Sequence, residues 1–419
     1  MRATWLVARA FSAFPLHQDR PMSLFSAVEM APRDPILGLN EQFAADQNPA
    51  KVNLGVGVYF DENGKLPLLA CVQAAEKALM DTPKPRGYLP IDGIAAYDNG
   101  VKALVFGADS DVVKQGRVAT VQALGGTGGL KIGADFLKKL NPNAKVLISD
   151  PSWENHRALF TQAGFDVGTY RYYDAATRRL NFDGMLADLK AAAPGTVVVL
   201  HACCHNPTGY DLTPDQWAQV IEVVKAGKLT AFLDMAYQGF ADGITEDGAV
   251  VGKFVAAGLD VFVSTSFSKS FSLYGERVGA LSVVCASKEE ADKVLSQLKI
   301  MIRTNYSNPP THGGAVVAMV LGDAKLRAQW EEELAGMRKR IKAMRQALVD
   351  GLKAAGVKQD MSFITTQVGM FSYSGLSKDQ MVRLRDEFGV YGTDTGRMCV
   401  AALNEKNIGY VCESIAKVM

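Results

Sequence analysis

Between Val118 and Ser266, short apolar runs alternate with amphipathic ones, and this alternation constrains the fold more than any other feature of the chain. Val118–Leu124 and Lys145–Asp150 read as strands, each followed by a helical stretch, at 130–140 and near 155–163. Residues 196–202 are nearly all apolar, as a strand buried on both faces must be. A helix near 215–225 leads to strands Thr230–Met235 and Val261–Ser266. This βαβ order predicts an α/β fold, a large mostly parallel sheet with helices on both faces and chemistry in the loops at its strand C-termini. Beyond 279–286 the pattern changes. Residues 288–301 and 324–355 read as long helices, followed by a strand at 370–373, a helix at 378–388, a strand around Val400 and a last helix at 408–418. That order predicts a smaller α+β domain joined to the sheet by a long helix.

Composition excludes several classes of protein. At about 150 residues per domain, 419 residues make two or three folding units. Lys plus Arg number 45 against 44 Asp plus Glu, without the basic excess of a nucleic-acid binder. Apolar stretches such as 315–321 fall short of the ~18 residues a membrane span needs, so no membrane partner is expected. Six Cys in so long a chain are no disulfide framework; they fit a reducing compartment, and a cytoplasmic location is expected. The first segment is basic at Arg2 and Arg9 and lacks an acid before Asp19. It reads as an extension of residues 1–22 without fixed structure, in preference to an Arg-bearing transit peptide.

Five features sit at strand ends. Gly125-Gly126-Thr127-Gly128-Gly129 lies between a strand and a helix, where glycines let backbone N–H groups approach an anion. It matches neither a Walker A nor a dinucleotide fingerprint, and alone it reads first as a plain tight turn. Asn206-Pro207-Thr208-Gly209 is a turn signal in its own right. The preceding Cys203-Cys204-His205 lacks a second ligand pair, so no metal is expected. Asp234 ends a strand, with Tyr237 three residues on; a carboxylate there is expensive to bury without a cation. Lys269 follows Ser266 just past a strand, and a desolvated Lys becomes nucleophilic. Arg277 opens the next strand.

Together these residues offer an anion cradle, with Ser266 and Arg277 for the same phosphate. They add an amine for a Schiff base and an Asp to hold a protonated ring nitrogen. That set is what pyridoxal phosphate requires. Tyr237 and Asn206 would bind the ring oxygen.

Longer motifs carry a resemblance. They include Val52-Asn-Leu-Gly-Val-Gly-Val-Tyr59, Tyr88-Leu-Pro-Ile-Asp-Gly93, Ser152-Trp-Glu-Asn-His156 and Asp234-Met-Ala-Tyr-Gln-Gly-Phe240. Ser266-Phe-Ser-Lys269 with Arg277-Val-Gly279, Ile302-Arg-Thr-Asn-Tyr-Ser-Asn-Pro-Pro310 and Gly396-Arg-Met-Cys399 complete the set. From about Phe25 onward the chain resembles class I pyridoxal-phosphate aminotransferases of fold type I, nearest the bacterial aromatic amino-acid and aspartate type. The resemblance implies a ping-pong transaminase moving an amino group from Tyr, Phe, Trp or aspartate to 2-oxoglutarate, or alternatively one mainly for aspartate.

It also implies roles. Lys269 forms the Schiff base and shuttles the Cα proton. Asp234 pairs with the pyridinium, supported by His156, while Trp153 stacks on the ring. Gly126, Thr127, Ser266 and Arg277 hold the phosphate. Arg397 grips the substrate α-carboxylate and Gly57 lies over the substrate. Tyr88 and Arg303 come from the other subunit of a homodimer with shared sites, Arg303 facing a side-chain carboxylate through its bidentate fork. Thr395 and Gly129 depart from the commoner Ser and Ala. The implied domains are an N-terminal arm with part of the small domain at 23–65, a large cofactor-binding domain at 66–336 and the rest of the small domain at 337–419. Two rivals fail on residues. A Ser266-x-x-Lys269 acyl-enzyme needs Ser-Asp-Asn and Lys-Thr-Gly, and neither occurs. A non-catalytic cofactor-binding regulator would be expected to lose Lys269 or Arg397, and both are present.

Overall fold

The computed structural model describes residues 23–34 and 36–419. The expected extension at 1–22 lies outside the described residues. Residues 23–34 belong to a unit of their own, Met1–Asp34, and contain a turn in which Val28 N–H donates to the Phe25 carbonyl at 3.0 Å. The elements below belong to the second unit, Pro35–Met419.

Seven strands form the main sheet: β1 (Val118–Leu124), β2 (Lys145–Asp150), β3 (Asp166–Arg171), β4 (Val197–His201), β5 (Thr230–Met235), β6 (Val261–Ser266) and β7 (Val278–Val284). Their order is β1-β7-β6-β5-β4-β2-β3. β7 runs antiparallel to both β1 and β6, and the other pairs are parallel. The period of two along β4 shows why its sequence is apolar throughout. Val197 and Val199 enter one core cluster, while Val198 and Leu200 enter another.

Three helices supply the first cluster: α1 (Gly125–Leu140), α2 (Glu154–Gln162) and α3 (Lys288–Asn305), through Ile132 and Phe136, Phe160, and Leu298 and Ile302 respectively. The second cluster takes Val101 from Ala95–Phe106, Val220 from Pro214–Ala226, Phe254 from Ile244–Ala256 and Ile341 from the long α4 (Ala324–Ala354). Two short pairings tie the late chain to the rest. Val52–Asn53 runs parallel to Val390–Tyr391. β8 (Phe371–Tyr373) runs antiparallel to β9 (Arg397–Cys399), placing Tyr373 opposite Arg397.

Three expectations need correction. The glycine run is no loop before a helix; it is the first turn of α1 itself. α3 continues to Asn305, so Arg303 stands on a helix. The strand expected around Val400 ends at Cys399, and Val400–Ala402 is a 3-10 turn.

Candidate active site

Adjacent parallel strands deliver their loops to one edge of the sheet, and β4, β5 and β6 are neighbours. Asp234, paired with His201 in the register of β4 and β5, is 5% exposed. His156 Nε2 lies 2.8 Å from Asp234 Oδ2, and His156 Nδ1 lies 2.9 Å from Ser152 Oγ. Burial pushes the Asp234 carboxyl up, but the His156 hydrogen bond and the positive charge around it prevail and hold it below its ordinary 3.8. His201 is pushed down to about 3 by burial and by His156, so it is a neutral neighbour. Asp234 thus presents a lasting negative charge. Its Oδ1 makes no hydrogen bond among the described residues.

Lys269 follows β6, with its Nζ 4.9 Å from the centre of the Tyr237 ring. Burial brings its amine down to about 8; Asp234 opposes this, and Arg277 and Arg397 reinforce it. Near neutrality a useful fraction of that amine is unprotonated and nucleophilic. Burial pushes the Tyr237 phenol up, so it stays a hydrogen-bond donor.

The anion cradle is built by close backbone approach. Gly125 has φ +69°, and a Cβ there would lie 2.6 Å from the Arg277 guanidinium. A Cβ at Gly126 would lie 3.1 Å from Ser266 Cβ. Gly125 N–H donates to the Arg277 carbonyl at 3.0 Å, and Ser264 Oγ donates to the Gly126 carbonyl at 2.9 Å. The first turn of α1 leaves the N–H groups of Gly126 and Thr127 without helical acceptors, beside Ser266 and Arg277. At Gly129 a Cβ would lie 2.7 Å from the Ala280 carbonyl, so this backbone leaves no room for the commoner Ala.

Arg397, 2% exposed, donates to Asn206 Oδ1 at 3.0 Å and to the Gly55 carbonyl at 2.7 Å. Its Nε is buried without a partner. The guanidinium lies 4.4 Å from the centre of the Phe371 ring, and a Cβ on Gly57 would lie 2.8 Å from that ring. Trp153 caps α2 and meets the His156 ring edge-on at 5.2 Å.

The contacts therefore draw together Lys269, Asp234, His156, Trp153, Tyr237, Asn206 and Arg397, with the cradle beside them. Tyr88 and Arg303 are apart from this group. Both are exposed, Tyr88 at 95%, and they line a cleft of about 330 Å³ with Leu89, Ile91, Ser307 and Asn308. Sequence reasoning missed Gly55, Phe371 and Ser264. Ser152 also bears on the site, and its spacing of four from His156 at a helix start is a usable sequence signal. Cys203, Cys204 and Asp247 offer ligand atoms within 4.8 Å of one another. The Asp247 carboxylate already accepts from the backbone of Gly239, Ala241, Asp242 and Gly243, so this cluster is a loop cap. The remaining donor set fits pyridoxal phosphate: a side-chain-free anion cradle, a buried carboxylate with an open oxygen and an amine of lowered proton affinity.

Comparison with known proteins agrees. A family model for aminotransferase class I and II matches residues 49–415. The chain is 62% identical to an aspartate aminotransferase of Pseudomonas aeruginosa, over 95% of this chain and 100% of that one. It is 51% identical to an aromatic-amino-acid aminotransferase of Escherichia coli, over 94% of this chain and 100% of that one. It resembles the crystal structure of an aromatic-amino-acid aminotransferase from Burkholderia pseudomallei covalently bound to pyridoxal phosphate. There the TM-score is 0.93 at 67% identity, over 95% of this chain and 100% of that one.

Proposed function

The chain belongs to the class I and II aminotransferases, and from that membership we propose how its residues carry out the transfer. It is a pyridoxal-phosphate enzyme that moves the amino group of an aromatic amino acid or aspartate to 2-oxoglutarate. When bound, the cofactor supplies an aldehyde for amines and a ring that accepts the electrons left at the substrate Cα. The chain's own residues do the rest. Lys269 offers an unprotonated amine and moves the Cα proton. Asp234 keeps a negative charge where the ring nitrogen binds, and His156, fixed by Ser152, holds that carboxylate in place. Gly126, Thr127, Ser266 and Arg277 bind the phosphate, and Trp153 flanks the ring. Asn206 and Tyr237 bind the ring oxygen. Arg397 grips the α-carboxylate beside Gly57.

The observation that carries this reading is the placement at one sheet edge of a buried Asp234 carboxylate, held by His156 at 2.8 Å, and of the Lys269 amine, which is brought down to about 8, chiefly by burial. The test is a comparison of kcat/KM for phenylalanine and aspartate with 2-oxoglutarate. Parallel lines in double-reciprocal plots are expected from a ping-pong transfer, and intersecting lines contradict it. A preference for aspartate would select the alternative, favoured by the exposed Arg303, which among the described residues is held by Ser307 alone.

We also propose a homodimer, supported by Tyr88 and Arg303, which lie exposed and apart from the residues they would serve. Mixing Lys269→Ala with Arg303→Ala subunits should restore about a quarter of the parent's activity on aspartate, since a two-fold dimer of mixed subunits holds one intact site. No recovery would refute shared sites. The proposal includes a large lobe at 66–336 and a smaller one made of 337–419 with part of 23–65, supported by the pairing of Val52–Asn53 with Val390–Tyr391. Closure of the smaller lobe would carry Arg397 inward and exclude water. A cytoplasmic location fits six unpaired cysteines. Among the described residues no helix is long and apolar enough to cross a membrane.

A further inference from the structure

Arg345 stands on α4 and is 2% exposed, yet among the described residues it meets no carboxylate. Its hydrogen bonds all end on backbone carbonyls: Nη1 donates to Ile364 at 3.2 Å, and Nη2 donates to Gly369 at 2.8 Å and to Phe371 at 2.5 Å. Its Nε is buried without a partner. A buried cation lacking a counter-ion is costly, and burial brings this guanidinium down to about 10. A core built only for stability would place an apolar side chain here. A planar fork, however, can hold several carbonyls at fixed angles, which an apolar side chain cannot do.

The segment it holds leads into the active site. The chain from Ile364 to Phe371 runs directly into β8, and β8 sets the register of β9, with Phe371 opposite Cys399 and Tyr373 opposite Arg397. The Phe371 ring lies under the Arg397 guanidinium at 4.4 Å and against the position of Gly57. On its other side the segment is tightly confined. A Cβ on Gly209 would lie 2.9 Å from the Phe371 carbonyl, and one on Gly369 would lie 2.5 Å from Cys204 Cβ. Arg345 therefore holds the carbonyls of the segment that carries Phe371, whose ring lies against Arg397.

We propose that Arg345 is a positioning residue for the substrate α-carboxylate, acting through Phe371 and the β8–β9 register on the orientation of Arg397. The inference rests on Arg397 being the carboxylate grip. Both the amino acid and the 2-oxo acid present that carboxylate, so a misplaced Arg397 weakens both alike. Small displacements of a positioning group far from the chemistry have large effects on binding geometry.

The test uses the cofactor-loaded enzyme with Arg345→Met, which keeps the length and removes the donors, and Arg345→Lys, which keeps a charge and loses the fork. The readout is the Kd of 3-phenylpropionate, a carboxylate without an amine, followed by perturbation of the cofactor absorption. We expect Kd to rise about tenfold for Arg345→Met and about threefold for Arg345→Lys. The KM values of amino acid and 2-oxo acid should rise together, with kcat within about twofold of the parent. A merely structural role would lower the melting temperature and leave this split absent. If Arg345→Met does not fold, Arg345→Lys decides alone. A parent-like Kd in either folded variant, or a fall in kcat with Kd unchanged, overturns the inference. Arg397→Lys is measured in parallel. A parent-like Kd there refutes the reading of Arg397 and the inference with it, whereas a parent-like Kd confined to the Arg345 variants refutes only the inference.

Discussion

Replacing Asp234 with Asn removes a charge and almost nothing else. The side chain keeps its size, and an amide can still bond to His156, which lies 2.8 Å from the carboxylate. The carboxylate is 5% exposed and held ionised, so the parent keeps a fixed negative charge in a shielded place. Two unit charges at 4 Å and an effective dielectric near 20 interact with about 4 kcal/mol. An amide dipole recovers part of this, so a loss of at least about 2.7 kcal/mol is expected, a rate reduction of about 100-fold. The assay is a single turnover. Fully loaded Asp234→Asn is mixed with saturating phenylalanine, and the cofactor absorption is followed in time. Full loading separates the effect from weaker cofactor binding. A rate within about threefold of the parent would refute the idea that fixed charge at this residue drives the transfer.

Two further outcomes follow from packing and burial. In Gly279→Ala the new Cβ would meet backbone, 2.3 Å from Gly125 C and 2.7 Å from the Thr265 carbonyl, so β7 and the cradle must separate. A loss of about 2–3 kcal/mol in urea unfolding and weaker cofactor retention on dialysis are expected, and a parent-like midpoint would contradict the close approach. Asp98, with Oδ1 buried and unpartnered, is pushed up to about 8 by burial and Asp92, against Lys102 and Lys299. Its folded pKa exceeds the unfolded 3.8, so this residue's contribution to stability falls as pH rises from about 4 to 8. Asp98→Asn should therefore gain more over the parent at pH 8 than at pH 5 by urea unfolding, and an equal difference at both would contradict the burial argument.

Much of the fold was legible because four of its strands are apolar runs with sharp ends. Val118–Leu124, Lys145–Asp150, Thr230–Met235 and Val261–Ser266 all fall where the pattern predicts. β3 was not legible, because Asp166–Arg171 is an edge strand with polar residues and a glycine and carries no such signal. The glycine run misled for a related reason. Glycine disfavours helix locally, and only tertiary contact with Arg277, Ser266 and Ala280 makes a side-chain-free first turn necessary. In the site, Lys269 and Asn206 stand just past strands, Asp234 near the end of β5 and Arg277 just before β7, and strand ends are places the sequence pattern marks. Phe371 and Arg345 could not. Their importance comes from a three-residue strand pairing with β9 and from carbonyls gathered out of sequence order.

The central claim is that one amine, that of Lys269, carries the cofactor. Borohydride reduction of the loaded enzyme, followed by digestion and mass spectrometry, tests it most directly. A single reduced pyridoxyl adduct is expected, on the peptide containing Lys269. An adduct on any other lysine, with Lys269 unmodified, would contradict it.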